Sequence, residues 1–342
     1  MTTGSRLIDA TGEIRYGVFA EPILEVNYRN YTLLSPLDRP RGRLARHFGF
    51  NQFQFLGGLS DSLIFGCAIA DMKIAASAFL YFYEPTTGGF ANFSFMAPLA
   101  VGCRFDQRPE DGSTTFSWRG NSIAITATAT PQQRRLLVSL TSGVRVDATF
   151  DESRPRIAPM AICTGAGAGG WVFARKTAGA SVSGTVEWQG RRIDLAQLAM
   201  LGHNDWSAGY MRRETFWNWG CVAGRLPDGR IVGMNISCGV NETSYTENCF
   251  WVDGTLERVG IAAFEYDRHD LMKPWKLRTG DGRVDLVFTP EGRHSEKVNA
   301  LVLASNFRQL FGRYQGRLVA ADGESIQLDG QLGYMERHYA KW

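Results

Sequence analysis

Apolar and small or polar residues alternate along much of this chain with a period of two, which sends successive side chains to opposite faces of a β-strand. Ile123, Ile125 and Ala127 keep that period, as do Leu136, Val138 and Leu140, then Val182, Val186 and Trp188, then Ile326 and Leu328. Turn dipeptides at Asp111-Gly112, Asp228-Gly229, Asp281-Gly282 and Asp322-Gly323 cut the runs short, as antiparallel hairpins require. The 38 glycines fit many turns and bends. Helical spacing is confined to about Ile193 to Leu201, where Leu195, Leu198 and Ala199 would share a face. The pattern predicts an all-β fold built as an antiparallel barrel or sandwich. A chain of 342 residues has room for two such units. We place them at 1–200 and 201–342.

The segment Gly202–Gly254 departs from plain alternation. It gathers Trp206, Trp217, Trp219 and Trp251 beside His203, Asp205, Asn218, Asn235, Glu242 and Glu247. Read as a two-residue type I′ turn, Asp228-Gly229 pairs Leu226 with Ile231, Val222 with Asn235, Gly220 with Ser237 and Trp219 with Cys238. One face then carries Trp217, Trp219, Cys221, Met234, Ile236 and Cys238. The other carries Asn218, Gly220, Gly224, Gly233, Asn235 and Ser237 and has no lysine, glutamate or arginine between Asn218 and Gly224. Glycine weakens a strand unless something must approach closely. A covered polar face is therefore expected, against a cavity or a tight sheet contact. A slip of one residue would exchange the partners.

Charge narrows the function classes. With 37 basic and 34 acidic residues, the chain lacks the concentrated basic stripe that binding nucleic acid needs. The run Arg39-Pro40-Arg41-Gly42-Arg43 reads as a solvated turn. No apolar run reaches the roughly 18 residues of a membrane span, and the N-terminus has no signal-peptide core; a soluble, cytoplasmic protein is expected. The 6 cysteines are widely spaced and read as buried thiols. The 5 histidines show no metal-site spacing, so no metal is expected. Gly165, Gly167 and Gly170 form a GxGxxG, but the strand-like Trp171-Val172-Phe173 follows where a dinucleotide fold needs a helix.

Several separate motifs carry a resemblance. They are Asn51-Gln52-Phe53-Gln54-Phe55, Leu63-Ile64-Phe65-Gly66-Cys67-Ala68, Asp205-Trp206-Ser207-Ala208-Gly209, Arg212-Arg213, Phe216-Trp217-Asn218-Trp219, Glu247-Asn248, Phe307-Arg308-Gln309-Leu310-Phe311-Gly312 and Gly333-Tyr334-Met335-Glu336-Arg337-His338. From about Glu21 to Trp342 the chain resembles an uncharacterised bacterial family, domain of unknown function 2804. That family is distantly similar to the lipocalin-like group of carotenoid hydratases (hydroxyneurosporene synthase) and tocopherol-cyclase-like proteins. The resemblance implies two calycin-type antiparallel barrels packed together, with an apolar site in or between them. The hydratase signature resembles a His–Asp–His–Asn–Trp–Gly run. Here His203-Asn204-Asp205-Trp206 matches in part: the second histidine is absent and the glycine is displaced to Gly209.

On this reading the partner is a hydrophobic small molecule (a lipid, isoprenoid or aromatic). Protonating a double bond needs one acid and aromatic faces for the developing cation, with no cofactor. Asp205 is the first candidate acid, since apolar walls favour its neutral form; the bland rival is a turn aspartate accepting backbone N–H bonds. His203 would relay a proton or orient Asp205, and Glu247 or Glu242 would be a second acid or base. Trp206, Trp217 and Trp219 would wall the ligand. Asn218 and Asn235 would orient a polar group on it, and Arg212 and Arg213 would hold an anionic one. Glu336 and His338, at i and i+2, share a face as a further acid–base pair. Two other readings stay open: a non-catalytic carrier using the same pocket, and a structural or interaction protein whose tryptophans only fill a core. Oligomeric state is not legible.

Overall fold

The structure is a computed structural model describing residues 5–240, 243–300 and 303–341. Two curled antiparallel sheets, each a half-barrel, make up nearly all of it. Among the described residues the first sheet has 14 strands. At its centre Ile64–Asp71, Asn51–Leu59, Leu201–Tyr210 and Trp171–Trp188 lie side by side. The second has 9 strands, with Ile231–Cys238, Glu214–Arg225, Ser325–Lys341 and Leu303–Val319 adjacent.

The strand Leu201–Tyr210 belongs to the first sheet, held between Asn51–Leu59 and Trp171–Trp188. The chain therefore passes from one sheet to the other at Met211–Arg213 and not at 200/201. Ile193 to Leu201 forms no helix. Arg191–Asp194 pairs back onto Trp171–Trp188, and an Asp194 side chain accepting from Ala196 N at 3.0 Å starts a turn. The one α-helix among the described residues is Arg43–Phe48, which begins at the last residue of the basic run Arg39–Arg43. The glycine run at Cys163–Gly170 closes a hairpin from Met160–Gly165 into Trp171–Trp188, so no dinucleotide motif forms.

The hairpin register is offset by one residue. Arg225 faces Ile231, and the loop closes through Leu226 N–Arg230 O at 2.8 Å and Gly229 N–Leu226 O at 2.9 Å. Pro227 sets the first turn residue, and within the loop only Gly229 has positive φ, at 92°. That is a type I turn with a glycine bulge, one residue longer than a type I′ loop. Trp219 now faces Ser237, and Cys221 faces Asn235. The tryptophan face of this hairpin turns toward the first sheet. The Asn218–Gly220–Val222 face turns inward with Met234 and Ile236, where a Cβ on Gly220 would lie 2.7 Å from the Tyr314 hydroxyl. The glycine face is covered by a tight contact, and the cavity lies on the other side.

Of four apolar clusters among the described residues, three bear on the site. Leu56, Phe65, Leu80, Leu136 and Trp188 fill the first half-barrel. Val222, Met234, Phe288, Leu310 and Tyr314 fill the second. Phe55, Tyr81, Trp219, Phe311 and Tyr334 sit between the sheets. Strand Cys249–Val252 joins the layers, sending Trp251 into the first core and Phe250 into the second. The Trp251 indole N–H donates to Ala158 O at 2.7 Å.

Charge is buried in the first half-barrel as well. Glu152 accepts from Arg134 at 3.0 Å, Arg175 at 2.8 Å, Thr177 at 2.6 Å and Gln132 at 2.8 Å. Burial alone would raise this carboxyl, but the two guanidinium charges outweigh it and hold Glu152 well below the usual range.

Candidate functional site

A cavity of about 280 Å³ lies between the two sheets. Phe53, Phe55 and Phe79 from the first sheet and Trp217, Trp219 and Phe307 from the second form aromatic walls. Into it reach Lys176, Asp205, Glu247, Glu336 and His338.

The β pairing explains the first cluster. Lys176 and Asp205 are direct cross-strand partners, and Asp205 lies opposite Phe55, so all three face the second sheet. Lys176 Nζ is 2.9 Å from Asp205 Oδ2 and 2.6 Å from Glu247 Oε1. Ser207 donates to Asp205 Oδ1 at 2.9 Å. Glu247 lies on the segment leading into Cys249–Val252, which two asparagines fix. Asn235 Nδ2 donates to the Glu247 carbonyl at 3.0 Å. The Asn248 side chain accepts from Ser237 N at 2.7 Å and donates to Gly260 O at 3.0 Å.

Glu336 is in no ion pair among the described residues, though the Lys176 charge still acts on it. Its carboxyl accepts from Trp217 Nε1 at 3.2 Å and from Gln309 Nε2 at 2.7 Å. His338, on the same face, has Nε2 2.9 Å from Ser305 Oγ and its ring 4.1 Å from that of Trp217.

The electrostatics sort these groups. Burial alone would lower Lys176, but Asp205 and Glu247 outweigh it and hold the ammonium protonated. Asp205 is pushed up by burial; Lys176 opposes this and Glu247 adds to it. Burial pushes Glu336 up to about 7, because its indole and amide partners offset only part of the lost hydration. Burial lowers His338 to about 3, so its imidazole is neutral at pH 7. Lys176 thus pairs with two carboxyl groups, while Glu336 is held by an indole and an amide.

The structure brings together Asp205, Glu247, Trp217, Trp219, Glu336, His338 and Arg212 as lining residues. The other candidates lie elsewhere. His203 packs beneath the cavity among Phe55, Trp219 and Tyr334, with ring centroids 5.2, 5.7 and 5.1 Å away. Its ring nitrogens have no hydrogen-bond partner among the described residues, and burial lowers it to about 3. It therefore neither orients Asp205 nor carries charge. Trp206, one residue from Asp205, points to the opposite face of its strand and packs on Phe173 at 6.0 Å. Asn218 donates to the backbone of Glu336 at 3.1 Å, and Asn235 accepts from the Trp219 indole at 2.8 Å. Both asparagines position the wall without lining it. Arg213 is exposed and does not line the cavity. Glu242 lies outside the described residues.

Lys176 and Gln309 were missed. The signal for Lys176 was the adjacent pair Arg175-Lys176 inside the otherwise apolar Trp171–Ala180 run. Neighbours on a strand face opposite ways, so both charges were bound to be buried and to need carboxylates. Gln309 lies in the Phe307–Gly312 run, whose alternation gives no sign of its partner Glu336 on the neighbouring strand.

A protein-family model described as Domain of unknown function (DUF2804) matches residues 1–342. Comparison with curated proteins finds no match. Among solved structures, an AttH-like protein from Nitrosomonas europaea is similar at 12% identity with a TM-score of 0.52, over 84% of this chain and 92% of that one. CghA is similar at 9% identity with a TM-score of 0.54, over 99% of this chain and 96% of that one. CghA with Sch210972 is similar at 9% identity with a TM-score of 0.53, over 85% and 88%. At these identities the likeness is one of fold. No helix among the described residues is long and apolar enough to cross a membrane.

Proposed function

The chain belongs to the DUF2804 family, and we propose that it binds a hydrophobic small molecule between its sheets and transforms it by acid catalysis. The observation that carries this reading is the Glu336 carboxyl, buried and in no ion pair among the described residues, in an aromatic-walled cavity shared with the Lys176-bound Asp205 and Glu247. Two carboxyl environments that differ in this way separate an acid from a base. CghA, of the same fold, has been crystallised with the compound Sch210972.

In this reading Glu336, rather than Asp205, donates the proton. It gives H⁺ to one carbon of a double bond in a lipid, isoprenoid or aromatic alkene. The faces of Trp217 and Trp219 stabilise the cation that forms. Asp205, held by Lys176 and Ser207, takes the part of the base. It removes a proton from an adjacent carbon, which isomerises or cyclises the substrate, or from an attacking water, which hydrates it. One proton enters and one leaves, so solvent exchange restores both carboxyl groups. Acid chemistry of this kind asks for no cofactor.

Native mass spectrometry of the intact protein and uptake of the apolar dye Nile red test binding. A protein that carries no small molecule and takes up no dye refutes the pocket reading. Turnover is tested with a panel of isoprenoid and aryl alkenes in D2O. The wild type should place deuterium in the product, and Glu336→Gln should bind the same alkene without doing so. Binding without turnover in the wild type would make the protein a carrier.

A further inference from the structure

The end of the first sheet beside the cavity presents an apolar and cationic surface, and we infer that it docks on an anionic lipid bilayer. The helix Arg43–Phe48 leads directly into strand Asn51–Leu59, whose first residues line the cavity. Before and along this helix, Leu37 and Leu44 are 76% and 75% exposed and Phe48 is 42% exposed. Arg39, Arg41 and Arg43 are exposed between them, with Asp38 the only acidic residue from 37 to 48.

The same end of the sheet holds more apolar surface. Gln52 pairs with Asp71, Ala75 pairs with Pro98, and Leu99 N bonds Ile74 O at 2.9 Å. These pairings bring the loop after Pro98 to the level of the helix. That loop exposes Leu99 and Val101, and Met96 beside it is both exposed and part of the cavity wall. Strand Leu201–Tyr210 ends here too, with Gly209 opposite Asn51. Arg212 follows it, exposed to solvent and lining the cavity, so the cavity reaches the surface at this end.

The chemistry selects the partner. Large apolar side chains at protruding positions are costly in water. A nucleic acid would satisfy the arginines but not Leu37, Leu44 and Phe48. An apolar protein groove would satisfy the leucines but strand the guanidinium groups. A bilayer with anionic headgroups takes both, with apolar tips below the phosphates and arginines at their level. Docking rests on these surface residues alone. Its corollary, that the apolar ligand passes between bilayer and cavity, rests on the function proposed above.

Flotation with vesicles tests the inference. The protein should rise with phosphatidylcholine vesicles containing phosphatidylglycerol and stay behind with phosphatidylcholine alone, and salt should release it. Each arginine near an anionic surface strengthens partitioning about fivefold, so Arg39→Gln, Arg41→Gln and Arg43→Gln together should weaken it on the order of a hundredfold. The double variant Leu44→Ser, Phe48→Ser should also lose flotation. Nile red uptake in both variants, measured alongside, should stay at the wild-type level, which separates a failed docking surface from a failed cavity. Wild type that stays behind with the anionic vesicles, equal flotation with neutral ones, or variants that float like wild type would overturn the inference. Capture by polyglutamate without capture by vesicles would also overturn it, assigning the surface to an acidic protein.

Discussion

Replacing Glu336 by glutamine should remove a pH dependence of stability whose size follows from the site. In the fold the carboxyl titrates at about 7 rather than at 4.5. The native state therefore holds a proton that the unfolded chain releases across that window. Stability contributed by this group is greatest below the unfolded value, falls as pH rises through the window, and is constant above it. The difference of about 2.5 units corresponds to about 3 kcal/mol in all, most of it between pH 5 and 8. Glutamine keeps the shape of the neutral acid. A half-turn of the Gln309 amide, whose buried carbonyl has no partner among the described residues, would present that oxygen to the new NH2 group. Urea unfolding followed by tryptophan fluorescence would be run on both proteins at steps from pH 5 to 8. Other groups titrate in both and largely cancel. The wild type should lose stability relative to Glu336→Gln as pH rises. Parallel curves would show that Glu336 is ionised throughout, and its role as proton donor would fall with them.

Four further outcomes follow from the packing. Lys176→Met takes away the ammonium that Asp205 and Glu247 share and should cost about 3–5 kcal/mol at neutral pH, shrinking in acid as the carboxyls protonate; urea midpoints at pH 7 and 5 measure it. Glu152→Gln removes the carboxylate that Arg134 and Arg175 share and leaves Glu110 to face both guanidinium groups; it should cost about 3–5 kcal/mol, without altering Nile red uptake. Asn235→Ala strips the Trp219 indole of its acceptor and the Glu247 carbonyl of its donor, for about 1–3 kcal/mol each, and should weaken dye binding as well as stability. In Gly233→Ala the new Cβ would meet the Ala178 carbonyl oxygen at 2.4 Å, forcing the two sheets apart; thermal unfolding should report a loss of about 1–3 kcal/mol or more.

The strands were legible because alternation is local. Ile123, Ile125 and Ala127 face inward along Asn121–Ala129 as their spacing required. The hairpin after Trp217 was legible in position but not in register, because Pro227 lengthened the loop by one residue and the turn dipeptide alone does not show it. That single residue moved Asn235 and Ser237 onto the tryptophan side. Leu201–Tyr210 read as the start of a second unit because one of its two partners, Asn51–Leu59, lies far away in sequence. Asp205 and Glu336 were both recognisable as candidates. Which one is held in an ion pair depended on Lys176, which meets Asp205 only across a strand pair.

The pairing of Asn51–Leu59 with Leu201–Tyr210 also sets an order of events at the ribosome. Until Leu201–Tyr210 emerges, that side of Asn51–Leu59 stays an open strand edge, with Phe53 and Phe55 uncovered. At about 5–20 residues per second the delay is on the order of ten seconds or more. During it the future cavity wall is a template for any other extended chain. Nascent-chain chaperones would meet this protein at the residues that later line its cavity.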